Sequence, residues 1–206
     1  DKLSEAEPYY RESLEIQRRV LGDEHPRTLL SILGMGVLLQ AQGEFSEAEP
    51  YAREALETGR RVLGDEHPYT LIFIGSMGSL LRAQGKHQEA IDLLAPAEPA
   101  VRTVFTGGNA SRLAGYLTIL GQARVGLGWG GDAGRFTLAE KNLIEAHGIC
   151  LAAKDRGAAH QQTLACVQAL VDLYSAWDEA APDMGYDAKA DEWRAQLSVD
   201  GGGVDT

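Results

Sequence analysis

The sequence predicts an all-α chain built from stacked repeats, and three observations carry that expectation. Leu21-Gly22-Asp23-Glu24-His25-Pro26 recurs as Leu63-Gly64-Asp65-Glu66-His67-Pro68, 42 positions later. The copying extends beyond that stretch: Glu5-Ala6-Glu7-Pro8-Tyr9 returns as Glu47-Ala48-Glu49-Pro50-Tyr51, and Arg18-Arg19-Val20 as Arg60-Arg61-Val62. A fixed period of this size marks a protein whose units bury their apolar faces against their neighbours. Finally, helix formers dominate and β-branched residues are sparse.

The elements follow in order. Leu3 to Leu21 reads as an outer helix, with Ser4 and Glu7 at capping-box spacing and Pro8 in its first turn. Gly22 ends it, since glycine accepts the left-handed cap. Pro26 opens an inner helix to Gln42 that is apolar almost all round, as expected for a helix packed on more than one face. Its glycines, Gly34 and Gly36, point to close approach by a neighbouring helix, and Gly43 ends it. Ser46, Glu49 and Pro50 repeat the capping box and early proline of an outer helix to Leu63. Tyr69 to Gln84 is the next inner helix, with Gly75 and Gly78 inside it. His87 to Phe105 is its partner, kinked near Ala95 by Pro96 and Pro99. Beyond the loop Thr106 to Asn109, Ser111 to Leu127 and Phe136 to Ala153 form a third pair around a Gly-rich insertion at 128–134 that carries Trp129. Gly157 falls in a loop, His160 to Trp177 is the last inner helix, and Asp187 to Leu197 caps the stack.

Composition narrows the function classes. Hydrophobic residues make up 44% of 206, enough for a sizeable core. The formal charge of −11, with no basic run, argues against nucleic acid. No apolar run reaches the ~18 residues of a membrane span. Two cysteines, Cys150 and Cys166, make no disulfide framework and read as small buried residues of a cytoplasmic protein. The chain opens at Asp1 inside a repeat, which reads as part of a longer protein. Asp23-Glu24-His25 and its copy hold the residue types of a metal or acid–base site. Duplication before a helix-starting proline instead gives them a turn role. The Gly-rich insertion lacks a phosphate-loop Lys-Ser/Thr, and the histidines lack metal spacing, so no metal, cofactor or catalytic group is expected.

Thr28-Leu29, Ala41-Gln42-Gly43-Glu44-Phe45-Ser46-Glu47-Ala48-Glu49-Pro50-Tyr51, Ala55-Leu56 and Gly64-Asp65-Glu66-His67-Pro68 resemble the kinesin-light-chain type of tetratricopeptide repeat. The match is specific over about Asp1 to Gln84 and returns in part at His160, Thr163 and Leu164. The resemblance implies a right-handed superhelical solenoid of antiparallel helix pairs. On this reading 1–197 is one array: a partial repeat at about 1–22, repeats at 23–64, 65–106 and 107–154, and 155–197 with the capping helix. Residues 198–206 are expected to be a disordered tail. Gln168 to Trp177, with Lys189 to Arg194, resembles the closing element of such arrays in bacterial multidomain proteins, where the array often follows a serine/threonine kinase.

The family's inner helices line a concave groove that takes a partner segment, often through paired Asn residues. Here Leu33-Gly34 and Gly75-Ser76 stand at those positions, which implies a more apolar groove. Carried across, the groove residues are Leu33, Val37, Gln40, Ser79, Arg82, Thr118, Gln122, Gln168 and Asp172. The resemblance thus implies a non-enzymatic scaffold for a protein or peptide segment. The alternatives are a regulatory or substrate-docking tail of a larger signalling enzyme such as a kinase, and a structural array associating edge to edge.

Overall fold

The computed structural model describes residues 2–128, 133–153 and 156–200. Among them every regular element is helical. The chain divides into two compact units, Asp1–Val104 and Phe105–Thr206.

Unit 1 contains α1 (Lys2–Leu21), α2 (Pro26–Gln42), α3 (Phe45–Leu63), α4 (Pro68–Ala83), α5 (His87–Leu94) and α6 (Glu98–Val104). Each of α1 to α4 packs on the next, and α2 also meets α4, so α2 and α4 are the inner helices. Both begin alike. His25 and His67 are extended N-caps whose Nδ1 accepts the backbone N–H of Arg27 (3.2 Å) and Tyr69 (3.1 Å). Pro26 and Pro68 follow at the first helical position, where no donor is lost. Arg18 pairs with Asp23 at 3.5 Å and Arg60 with Asp65 at 3.1 Å. The repeated Asp-Glu-His stretch is therefore a turn-and-cap device.

The expected capping boxes are a correction. α1 and α3 begin before Ser4 and Ser46, and the α3 N-cap, Glu44, makes no side-chain cap bond. Pro8 and Pro50 accordingly lie beyond the first turn. Glu49 instead accepts from Arg53 Nη2 (2.6 Å), Gln84 Nε2 (2.9 Å) and Lys86 Nζ (3.3 Å). One repeat earlier, Glu7 accepts from Arg11 and Gln42. A carboxylate aimed at an arginine on its own helix and a glutamine at the end of the next inner helix ties each hairpin to its successor. Hydrogen bonds from Gln84 and then Arg53, with Lys86 adding to them, hold the Glu49 carboxyl at about 2 against burial, below its ordinary 4.5.

A group with a depressed folded pKa adds stability above its unfolded pKa and loses it as pH falls towards the folded value. Glu49→Gln is thus expected to lower stability near neutrality by on the order of 1–3 kcal/mol. The deficit should close between about pH 4.5 and 2. Urea midpoints of both proteins across that range check it. A deficit independent of pH would assign the effect to packing.

Glycines inside the inner helices admit the outer ones. A Cβ on Gly36 would lie 3.3 Å from the Ala48 carbonyl and Tyr51 Cβ. At the equivalent Gly78 it would lie 2.6 Å from Leu94 Cδ2 and 2.7 Å from its Cγ. Leu94 is fully buried and has nowhere to retreat. Gly78→Ala is expected to destabilise by about 1–3 kcal/mol despite alanine's better helix propensity, which a thermal melt reads directly. Beyond Leu94 the chain tightens into a 3-10 turn, Ala95–Ala97, before α6. Pro96 and Pro99 withhold the donors a continuous helix would need there. This is the expected kink.

Unit 2 contains α7 (Ala110–Gly126), α8 (Ala133–Ala152), α9 (Arg156–Ala180) and α10 (Tyr186–Asp200). α7 packs on α8 and α9, α8 on α9, and α9 on α10. The core joins Phe136, Ala139 and Leu143 to Ala169, Leu170, Leu173, Tyr174 and Trp177, with Ala190 from α10. Trp177 stacks on Tyr186 at 4.4 Å and on Phe136 at 5.5 Å. Tyr174 donates to Glu140 at 2.6 Å; burial and that carboxylate push its phenol up. Lys189 sits 5.0 Å above the Tyr174 ring and 3.4 Å from Glu140.

Three helices reach beyond their expected ends. α8 starts at Ala133 rather than Phe136, α9 takes in Gly157 and runs on to Ala180, and α10 reaches Asp200 rather than Leu197. Packing against neighbouring helices sets these ends, and glycine alone does not stop a helix held that way. Expectations for Trp129 and for 201–206 lie outside the described residues.

Candidate protein-interaction site

In unit 1 the inner helices leave one face open. Each turn of α2 and α4 turns a residue toward it: Val37 and Gln40 on α2, Ser79 and Arg82 at the positions 42 later on α4. The opposite side of both helices is buried, through Thr28, Leu29, Ile32 and Met35 on α2 and Thr70, Leu71, Ile74 and Met77 on α4. Val37 is 48% exposed, a large apolar side chain presented to solvent. Gln40 Nε2 donates to Ser79 Oγ at 3.1 Å, which fixes the two helices in register. Arg82 stands one turn beyond. It is half-buried, its Nε is covered, and among the described residues nothing hydrogen-bonds to that atom. Burial pushes its guanidinium down from the ordinary arginine range. Arginine does not deprotonate in proteins, so a cation stays there.

Leu33 does not belong to this face. It is only 7% exposed, and the neighbouring Gly34 lies beneath the Tyr10 ring, with a Cβ site 3.1 Å from Cε1. The α1 helix covers the place where a family-type Asn pair would reach out.

In unit 2, Gln168 Nε2 donates to Asp172 Oδ1 at 2.8 Å on the exposed side of α9, and Gln122 is half-buried on α7. Thr118 is 8% exposed and sits in the interior. Its hydroxyl donates to Ala114 O at 2.8 Å and lies 3.2 Å from Cys166 Sγ. It is a core residue, and no signal in the sequence separates it from a groove threonine. Among the described residues, no group of three or more His, Cys, Asp or Glu could hold a metal ion. Nor is any described helix long and apolar enough to cross a membrane.

The tetratricopeptide-repeat family matches residues 1–59 and 28–100. Residues 1–100 are tetratricopeptide repeats. Tetratricopeptide repeats generally mediate protein–protein interaction. Among solved structures, the chain is similar to one from Podosopora anserina described by its nearly identical TPR-like repeats of kinesin-light-chain type. Identity is 21%, coverage is 96% of this chain and 85% of that one, and the TM-score is 0.69 for the Q17M form. A second structure of those repeats gives 22% identity, coverage of 96% and 86%, and a TM-score of 0.66. BtubC (BKLC) from P. vanneervenii gives 18% identity, coverage of 96% and 93%, and a TM-score of 0.53. These likenesses show the fold, a tetratricopeptide-type helical solenoid. A search of curated proteins gives no match.

Proposed function

We propose that this tetratricopeptide array is a non-catalytic scaffold that holds a segment of a partner protein against its inner helices. The supporting observation is Arg82: a half-buried guanidinium whose covered Nε has no acceptor among the described residues. A buried donor left unbonded costs free energy unless something else accepts from it. Val37 adds apolar surface on the same face, and the Gln40–Ser79 bond keeps that face rigid. In unit 2 the face consists of Gln122, Gln168 and Asp172. Leu33 and Thr118, being buried, make no contact with the segment.

A displayed peptide library selected on the immobilised chain tests this. Selected peptides are expected to bind Arg82→Ala at least ~10-fold more weakly, as a hot-spot arginine would require. Arg53→Ala, on an outer helix, should leave binding unchanged. Peptides that bind both variants as they bind the parent chain would move the site off the inner face.

A further inference from the structure

α8 packs on α7 and α9 as α3 packs on α2 and α4, yet the two helices turn different faces outward. α3 presents Glu47, Arg53, Glu57, Arg60 and Arg61 to solvent, the charged coat expected of an outer helix. α8 presents Leu138, Ile144 and Leu151, which are 50%, 47% and 65% exposed. Among its exposed described residues only Lys141 is charged. Single apolar residues on a surface need no explanation, but three along one helix face make a patch.

Gly148 gives a second observation on the same face. A Cβ at Gly59, Gly78 or Gly121 would strike Phe73, Leu94 or Leu143, so packing within the chain requires those glycines. A Cβ at Gly148 would meet nothing within 4 Å. Glycine weakens a helix interior relative to alanine, and nothing inside this chain asks for it there. Close approach by another chain does.

We propose that this face of α8 pairs with the same face of a second copy of the chain, the two helices antiparallel about a twofold axis. α8 carries none of Gln122, Gln168 and Asp172, so the pairing goes beyond the scaffold reading. Gly134, Lys141 and Gly148 form one row at seven-residue spacing and Thr137, Ile144 and Leu151 another, the spacing of a seam between two helices. With the axis level with Asn142 and Leu143, Gly148 faces Leu138 of the second copy, Leu151 faces its Gly134, and Lys141 faces its Glu145. Large side chains then meet glycines and the ammonium meets a carboxylate, each twice over by symmetry. A parallel pairing would instead set Lys141 against itself. The charges choose direction and register, and the apolar contacts carry the affinity.

The test is sedimentation of the full chain. A seam over 134–151 is about 27 Å long, small for a specific interface. A monomer–dimer equilibrium in the micromolar range is therefore expected, visible between about 1 and about 300 µM. Gly148→Gln should weaken it at least ~10-fold without lowering the thermal midpoint, because its side chain enters open solvent in the monomer. Ile144→Glu, also at an exposed position, should weaken it as much. Lys141→Glu should weaken it too, and adding Glu145→Lys should restore it, as a charge pair between antiparallel copies requires. A chain that stays monomeric at every concentration overturns the proposal and leaves the face to a different protein. A dimer that Gly148→Gln and Ile144→Glu both leave intact overturns it, as does a ladder of larger species.

Discussion

Trp177→Ala is expected to cost unit 2 about 3–5 kcal/mol, the range for truncating a large aromatic in a closed core. Trp177 belongs to α9 but reaches both neighbours. Its ring lies 4.4 Å from Tyr186 and tilts 14° from it, ahead of α10 Ala190 in the same cluster. On the other side it stacks 5.5 Å from Phe136 of α8. Parallel offset rings add to the area they bury, so the loss exceeds a simple hydrophobic truncation. Urea unfolding followed by circular dichroism gives the size of the effect. A separate signal reports its place: the Trp193 ring meets His147 edge-on at 5.0 Å, so Trp193 emission should shift when α10 loosens. A loss below about 1 kcal/mol would mean that α10 is held by something other than the ring stack.

Phe73→Ala should be nearly as damaging to unit 1, again about 3–5 kcal/mol, because Phe73 is fully buried. What fixes its ring is an absence on the facing helix. A Cβ on Gly59 would lie 2.7 Å from Phe73 Cδ2 and 2.9 Å from Cε2. Gly59→Ala alone is therefore also expected to destabilise, by about 1–3 kcal/mol. The two changes should be strongly non-additive. Once the ring is gone, the new methyl enters the space it left, and the double variant should recover at least about 1 kcal/mol relative to the sum. Additive costs would show that the two sites do not share that space. One repeat earlier, the equivalent positions hold Gln17 and Ser31, a larger residue on the outer helix and a smaller one on the inner. The interface volume has been divided the other way.

Those substitutions explain what was legible in the sequence. Gly22, Pro26 and their copies act through their own backbones, so a single strand of text locates helix ends well in the first half. The kink at Pro96 was readable for the same reason. Partner choice was not. Glu49 sits three residues after a serine, the spacing of a capping box, yet it turns to Gln84 and Lys86, more than thirty positions away. His25 and His67 serve as N-caps, a role the usual preference for Ser, Thr, Asp and Asn hides. Leu33 and Thr118 sit at family groove positions, but a covering tyrosine and a buried sulfur exist only in three dimensions. Val37, Gln40, Ser79 and Arg82 escaped that fate because the period of 42 carries them to one open face.

In unit 1 the most extensively packed pairs of helices are adjacent along the chain. Loops that close such contacts are short, and short loops cost little entropy to close. The unit should therefore assemble quickly, and any neighbouring pair of helices can serve as the seed. Local order then spreads like a zipper from wherever it starts. Breakdown runs the other way, and α3, held between the inner helices α2 and α4, is the last to open. Amide hydrogen exchange along the unit should be slowest in α3 and α4.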